Sequence, residues 1–407
     1  MAFFFLVWYS DIGLEEDGDG YAVVKKCPVD TFLVRGRVHE AEDAAGWLWT
    51  RLHNQECYHP NGWVFLFFGM VFRYKIHHKR TKYCKLQKIV IYFDHNPNGV
   101  DSMNELLKRI VADCAPSASL GHVATYIPEL ANVDPNKLGI YVSSEDGKQY
   151  FAGDHLEPFT MQSVVKPLIL LQALMDSGED AVRTLVGVEA TGKPFDAFNY
   201  SDQALNSANI NPMINTGAIA LCTLIHGETY EEKFSRLLAL ARKLAGNPEL
   251  NVDHAVYVSE KKTGNKNRAL GYMLTAYGMI TDPVEEILDC YFRACSISVN
   301  CRDLARIAHI FANHGIHPET REQMFPAAYA KYVNATLATC GMYDGSGEFA
   351  LAVGFPAKSG VGGGIMGVIP HRMGIGVFAP ALDKHGNSVA GVQALAKLSQ
   401  ILDLSIY

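Results

Sequence analysis

From residue 101 onward the apolar positions are regular. In "DSMNELLKRIVADCA" they repeat at helical spacing, with Leu106, Leu107, Ile110 and Val111 on one face and Asp101 or Ser102 as the cap. Two short strands follow, "KLGIYVS" and "KQYFAGD", and the Asp146-Gly147 step between them favours a tight hairpin turn. The nearly unbroken apolar run in "MQSVVKPLILL" then predicts a buried helix that ends at Gly178, a residue able to take the left-handed cap conformation. Residues 180–335 keep mostly helical spacing. The clearest stripe is Phe234, Leu237, Leu238, Ala241 and Leu244 in "EEKFSRLLALARKLAG", stopped by Gly246. After Tyr343 the runs shorten: "FALAVGFPAKSG", "GGGIMGVIP" and "MGIGVFAPAL" read as strands broken by Gly and Pro, and a last helix runs from about Ser388 to Leu402.

Helix and hairpin therefore open this unit, and hairpins and a helix close it. The economical packing is an α/β fold of the α+β kind. One antiparallel sheet is assembled from both ends (101–162 and 340–407) and flanked by terminal helices, and an all-helical lobe (163–339) is inserted between them. A cleft between sheet and lobe is the expected ligand site.

Residues 1–100 differ, with clustered aromatics and no clear periodicity after the opening, and they read as a separate amino-terminal extension. The run "WVFLFFGMVF", Trp63 to Phe72, is about half of the roughly 20 residues that span a bilayer, and the opening "MAFFFLVWYSD" lacks the basic region and cleavage site of a secretory signal. The basic run "RYKIHHKRTKYCK" reads as a solvated face, since nothing around it repeats at nucleic-acid or amphipathic-helix spacing. "DGDG" at 17–20 lacks the downstream glutamate of a calcium loop and reads as a turn.

Composition narrows the function. At 407 residues, 48% hydrophobic and 19% charged, the chain can bury a large core without staples. A net charge of −7 gives no reason to expect nucleic acid or membrane as partner and favours a small-molecule substrate. Nine cysteines without a C-x-x-C pair point to free thiols in a reducing, cytoplasmic setting, with no structural zinc site and no cofactor implied.

The candidate chemistry begins at Ser163 and Lys166, three apart, a spacing that lets hydroxyl and amine meet on one helix face. In a buried segment desolvation favours the neutral amine, which can take a proton from the hydroxyl; an ordinary buried helix with an outward lysine is the alternative. "PAKSGVGGGI" places Lys358-Ser359-Gly360 on a predicted strand, resembling the Lys-Thr-Gly element that accompanies Ser-x-x-Lys in penicillin-recognising enzymes. The N–H groups of Val361 and Ser163 could then form an oxyanion hole. A substrate with a free amino-acid end needs a carboxylate and neutral donors, for which Glu260, Asn215 and Asn267 are available, although each asparagine alone is more often a helix cap and their case rests on company.

Across these residues the chain from about Met103 to Tyr407 resembles the serine-dependent, β-lactamase-like glutaminases of bacterial type. The resemblance is carried, in order, by "ATYIPELANV", "MQSVVKP", "NPMINTGAI", "SEKKTGNKNRA", "CYFRACSI", "CGMYDGSGEFA", "PAKSGVGGGI" and "LDKHGNSVAG". It implies a domain over 101–407 that hydrolyses L-glutamine to L-glutamate and ammonia, an amidohydrolase reaction through a seryl acyl-enzyme, in a homo-oligomer read as a tetramer. By resemblance Ser163 is the nucleophile, Lys166 its base and Tyr343 a proton relay. Substrate contacts come from Ser163, Asn215, Glu260, Asn267, Tyr291, Tyr343 and Val361, with Tyr126 close by. Because Met103 looks like the start of such an enzyme, residues 1–100 read as an unrelated extension or a misassigned start. Two rivals remain from the residues alone: a penicillin-binding or β-lactamase-like serine hydrolase, and a non-catalytic amino-acid-binding protein on the same scaffold.

Overall fold

The computed structural model describes residues 102–192 and 206–407 and, within the first hundred, seven strands. The chain divides into two units, Met1–Asp101 and Ser102–Tyr407. In the first, β1 (Gly13–Glu16), β2 (Tyr21–Lys26), β3 (Arg35–Glu40), β4 (Trp47–Arg51), β5 (Glu56–Tyr58), β6 (Val64–Leu66) and β7 (Val71–Lys75) are antiparallel. The sheet order is β1-β2-β3-β4-β7, with β5 and β6 pairing separately. Strands this short carry little periodic signal, which is why the sequence pattern did not predict them. The turn at 17–20 and the basic run beyond Lys75 lie outside the described residues.

The second unit opens with α1 (Met103–Cys114). Its cap is Ser102, whose side chain accepts from the Glu105 N–H at 3.3 Å, and Leu107, Ile110 and Cys114 are buried. The expected hairpin follows as β8 (Gly139–Ser144) and β9 (Gln149–Gly153), then the short β10 (Phe159–Thr160). The helix α2 (Lys166–Leu185) differs from expectation at both ends. Ser163 precedes it, in a 3-10 turn over Gln162–Val165, and Gly178 is a break rather than an end: its φ of 81° interrupts the helix, which then resumes.

A helical run follows: α3 (Asn215–Leu221), α4 (Tyr230–Ala245), α5 (His254–Thr263), α6 (Asn265–Ala276) and α7 (Val284–Cys295). The strand β11 (Ser298–Val299) pairs with β10 and leads into α8 (Cys301–Ala312), after which come α9 (Ala327–Cys340) and α10 (Ser346–Ala352). "FALA" is therefore helical in α10, not a strand, because a four-residue apolar run fits either period and its neighbours at 346–348 extend a helix. The strands β12 (Ala357–Ser359), β13 (Gly364–Ile369) and β14 (Met373–Phe378) and the helix α11 (Val389–Leu402) close the unit.

The main sheet has the order β12-β13-β14-β8-β9, antiparallel throughout, so strands from both ends of the unit meet where β14 pairs with β8. Alternation sorts its side chains. Ile365, Ile369, Ile375, Val377, Ile140 and Val142 pack with Leu107 and Ile110 of α1 and Leu395 and Leu398 of α11. Met366, Val368 and Phe378 face the opposite way, into the core shared with α2 to α9. On that face α8 lies so close that a Cβ at Gly374 would stand 2.2 Å from the Ala305 carbonyl oxygen, and one at Gly376 2.0 Å from that of Cys301. Glycine at both positions is what allows backbone to meet backbone. So α8 belongs by packing to the sheet, although its sequence lies within the helical stretch.

The same contact buries His309 of α8, with Nδ1 2.9 Å from the Ser143 hydroxyl, and burial pushes its imidazole down to about 4. The folded pKa lies below the unfolded value of 6.5, so the stability tied to the neutral ring is complete above 6.5 and is lost as pH falls towards 4. The expected loss is about 3 kcal/mol. Urea midpoints at pH 7 and 4.5 measure it, and His309→Gln should flatten that part of the profile.

Candidate active site

The turn over Gln162–Val165 sets the site. Gln162 takes a left-handed φ of 47°, which redirects the chain out of β10, and the Lys166 N–H donates to the Ser163 carbonyl, so serine and lysine stand on one tight turn. Ser163 is nearly buried and Lys166 wholly so. The lysine Nζ donates to Asn215 Oδ1 at 2.7 Å and to the Met213 carbonyl at 3.2 Å, both at the opening of α3. It does not snorkel outward.

Asn215 joins three helices. Its Oδ1 also accepts from the Tyr291 hydroxyl of α7 at 3.3 Å, and its Nδ2 donates to Asn267 Oδ1 of α6 at 2.9 Å. The expected alternative, a helix cap, does not hold for Asn215: it is the first residue of α3, and Ile214 is the cap position. Glu260 stands on α5, buried, with Gln162 Nε2 donating to its Oε2 at 3.4 Å. Burial pushes its carboxyl up to about 8, against the opposing pull of the Gln162 donor, the Lys166 charge and the Cys295 thiol.

Tyr343 takes a left-handed φ of 58°, and Ser346 Oγ fastens it by donating to its carbonyl at 2.8 Å. Its hydroxyl donates to the Ser359 carbonyl at 3.0 Å; burial pushes the phenol up, and the Ser163 side chain opposes that shift. The backbone turns tightly after β12, with the Gly360 N–H donating to the Gly364 carbonyl and the Gly363 N–H to that of Gly360, both at 2.9 Å. This turn presents Val361.

A cavity of about 530 Å³ collects these groups. Ser163, Asn215, Glu260, Asn267, Tyr291, Val361 and the exposed Tyr126 line it, while Lys166 and Tyr343 stand behind its wall. A hydroxyl, a carboxylate and amide side chains in one polar cavity, with an amine behind its wall, suit a small amino-acid amide.

A family model described as Glutaminase matches residues 121–407. The chain is 48% identical over 305 residues to the glutaminase of Clostridium tetani, covering 75% of this chain and 100% of that one, and 47% identical over the same length to that of Clostridium botulinum. The chain belongs to the glutaminase family. Among solved structures it resembles a probable glutaminase from Bacillus subtilis complexed with 6-diazo-5-oxo-L-norleucine, at a TM-score of 0.69 and 37% identity, covering 76% of this chain and 98% of that one. A second Bacillus subtilis structure, at 36% identity and TM-score 0.69, is described as a covalent complex formed by reaction with the same reagent. The fold is the β-lactamase-like one of these glutaminases.

The glutaminase cavity also holds residues that the sequence pattern did not single out. Cys295 lies one turn beyond Tyr291 on α7, and that i,i+4 spacing is the signal that could have found it. Gln162 neighbours the serine, yet nothing in its type announces a left-handed residue facing Glu260. The rim includes residues 122–127 and 382–386, where His385 Nδ1 pairs with Asp344 Oδ2 at 2.9 Å. Loops of this kind leave no periodic trace.

Proposed function

We propose that this glutaminase hydrolyses L-glutamine to L-glutamate and ammonia through an acyl-enzyme on Ser163. The observation that carries the reading is Ser163 itself, one turn from buried Lys166 and in the same cavity as Glu260. Lys166 in its uncharged form takes the Ser163 Oγ proton as the oxygen attacks the carboxamide carbon. The oxyanion rests on the N–H groups of Ser163 and Val361, donors of a kind worth roughly 3 to 4 kcal/mol each. The proton held by Lys166 passes by way of the Tyr343 hydroxyl to the leaving nitrogen, and the C–N bond breaks to release ammonia. Water then adds to the ester by the same route, restoring the serine hydroxyl and freeing glutamate.

Glu260 pairs the substrate ammonium, and Asn215, Asn267 and Tyr291 serve its carboxylate end, with Tyr126 at the mouth. An ammonium beside Glu260 favours the ionised carboxyl, so below about 8 binding must expel a proton. KM for glutamine should therefore fall as pH rises from 6 to 8. Glu260→Gln should raise KM ~100-fold and remove that slope, as measured by initial rates across the range.

Ammonia release from glutamine, asparagine and a simple amide tests the assignment: glutamine turned over well ahead of the other two supports it, and equal rates would sink it. The reaction is assigned to residues 101–407, with 1–100 outside it, and the protein to the cytoplasm as a homotetramer. Supporting a reducing setting, all six cysteines among the described residues are free and buried; no helix among those residues is long and apolar enough to cross a membrane. Light scattering of the purified protein reads the oligomer directly.

A further inference from the structure

Lys358 of β12 is a fully buried lysine that the chemistry above leaves unused. Its Nζ donates to the Gly341 carbonyl at 3.0 Å and to the Ser359 carbonyl at 2.5 Å, and stands 4.1 Å from the centre of the Tyr343 ring. Among the described residues no carboxylate pairs with it. Burying an amine without an acid costs free energy that an apolar side chain at the same place would not, so packing alone gives no reason for a lysine here. The Ser359 carbonyl it holds also accepts from the Tyr343 hydroxyl. One carbonyl thus anchors the amine and the phenol together, with the amine pressed on the ring face.

We propose that Lys358 is a positioning residue for the reaction: from behind the cavity wall it braces Tyr343 so that the phenol stays on the Ser163 oxygen. The inference rests on the seryl mechanism proposed above and adds to it a residue that touches no substrate. The titratable groups facing Lys358 are Lys166 from α2, Cys340 from α9 and Tyr343. Those facing Lys166 include Glu260 from α5 and Cys295 and Tyr291 from α7. Because the two lysines repel, protonating one opposes protonating the other, and removing Lys358 eases protonation of the base.

The test is kcat and KM for glutamine across pH for the parent, Lys358→Met and Lys358→Gln, each checked for cooperative melting. Lys358→Met should lose ~100-fold in kcat through misplacement of the phenol, with KM little changed and the acid limb of the rate profile moved to higher pH. Lys358→Gln, which keeps a donor for the Ser359 carbonyl, should recover part of kcat. In a Tyr343→Phe background Lys358→Met should cost nothing further. Parental kcat and pH profile in Lys358→Met, or a full additional loss in the Tyr343→Phe background, would overturn the inference. Failure of both variants to fold would also overturn it, making the lysine structural. A parent that releases no ammonia from glutamine defeats the seryl reading itself, whereas an active parent indifferent to Lys358 defeats only this inference.

Discussion

Ser163→Ala should release ammonia from glutamine at least ~10⁴-fold more slowly than the parent. The oxygen that forms the acyl bond is then gone, and no other hydroxyl replaces it, since the nearest phenol, Tyr343, is held on the Ser359 carbonyl and pushed up by burial. What survives is the catalysis of a cavity that still binds glutamine through Glu260 and still offers N–H donors to an oxyanion. Calorimetric titration with glutamine should accordingly show binding retained while turnover is lost. A variant that kept substantial turnover would remove serine catalysis from the account.

Lys166→Met should cost about 10²-fold to 10⁴-fold in kcat, the range expected when a general base is lost. Its effect should differ in kind from that of Ser163→Ala. The Asn215 Oδ1 and the Met213 carbonyl both lose a buried donor, so the variant should also lose about 1–3 kcal/mol of stability, read from urea midpoints. On the proposed mechanism serine and lysine act as one unit, so the double variant should be no slower than Ser163→Ala alone. An additive double loss would mean that the two residues work separately.

The helices of the second unit were legible wherever an apolar stripe ran for three turns or more, as in α1 and α4, because packing and local spacing agree there. The hairpin of β8 and β9 was legible from two short strand-like runs and the Asp-Gly turn between them. Legibility failed where a short local signal fitted two structures. Gly178 breaks α2 without ending it, and "FALA" joins α10 because of the residues ahead of it. Within the site, residue type and spacing pointed to Ser163, Lys166 and Glu260. The left-handed backbones of Gln162 and Tyr343 could not be read because neither residue type announces a positive φ, nor could the inward course of Lys358, whose partner carbonyl at Gly341 lies 17 residues away.

The claim at the centre is that Ser163 becomes the covalent attachment point, and the cavity offers a rival for that role in the thiol of Cys295. Treatment with 6-diazo-5-oxo-L-norleucine, followed by peptide mapping by mass spectrometry, separates them. The account predicts a single adduct on the Ser163 peptide, absent from Ser163→Ala. An adduct on Cys295, or equal labelling of Ser163→Ala, would contradict it.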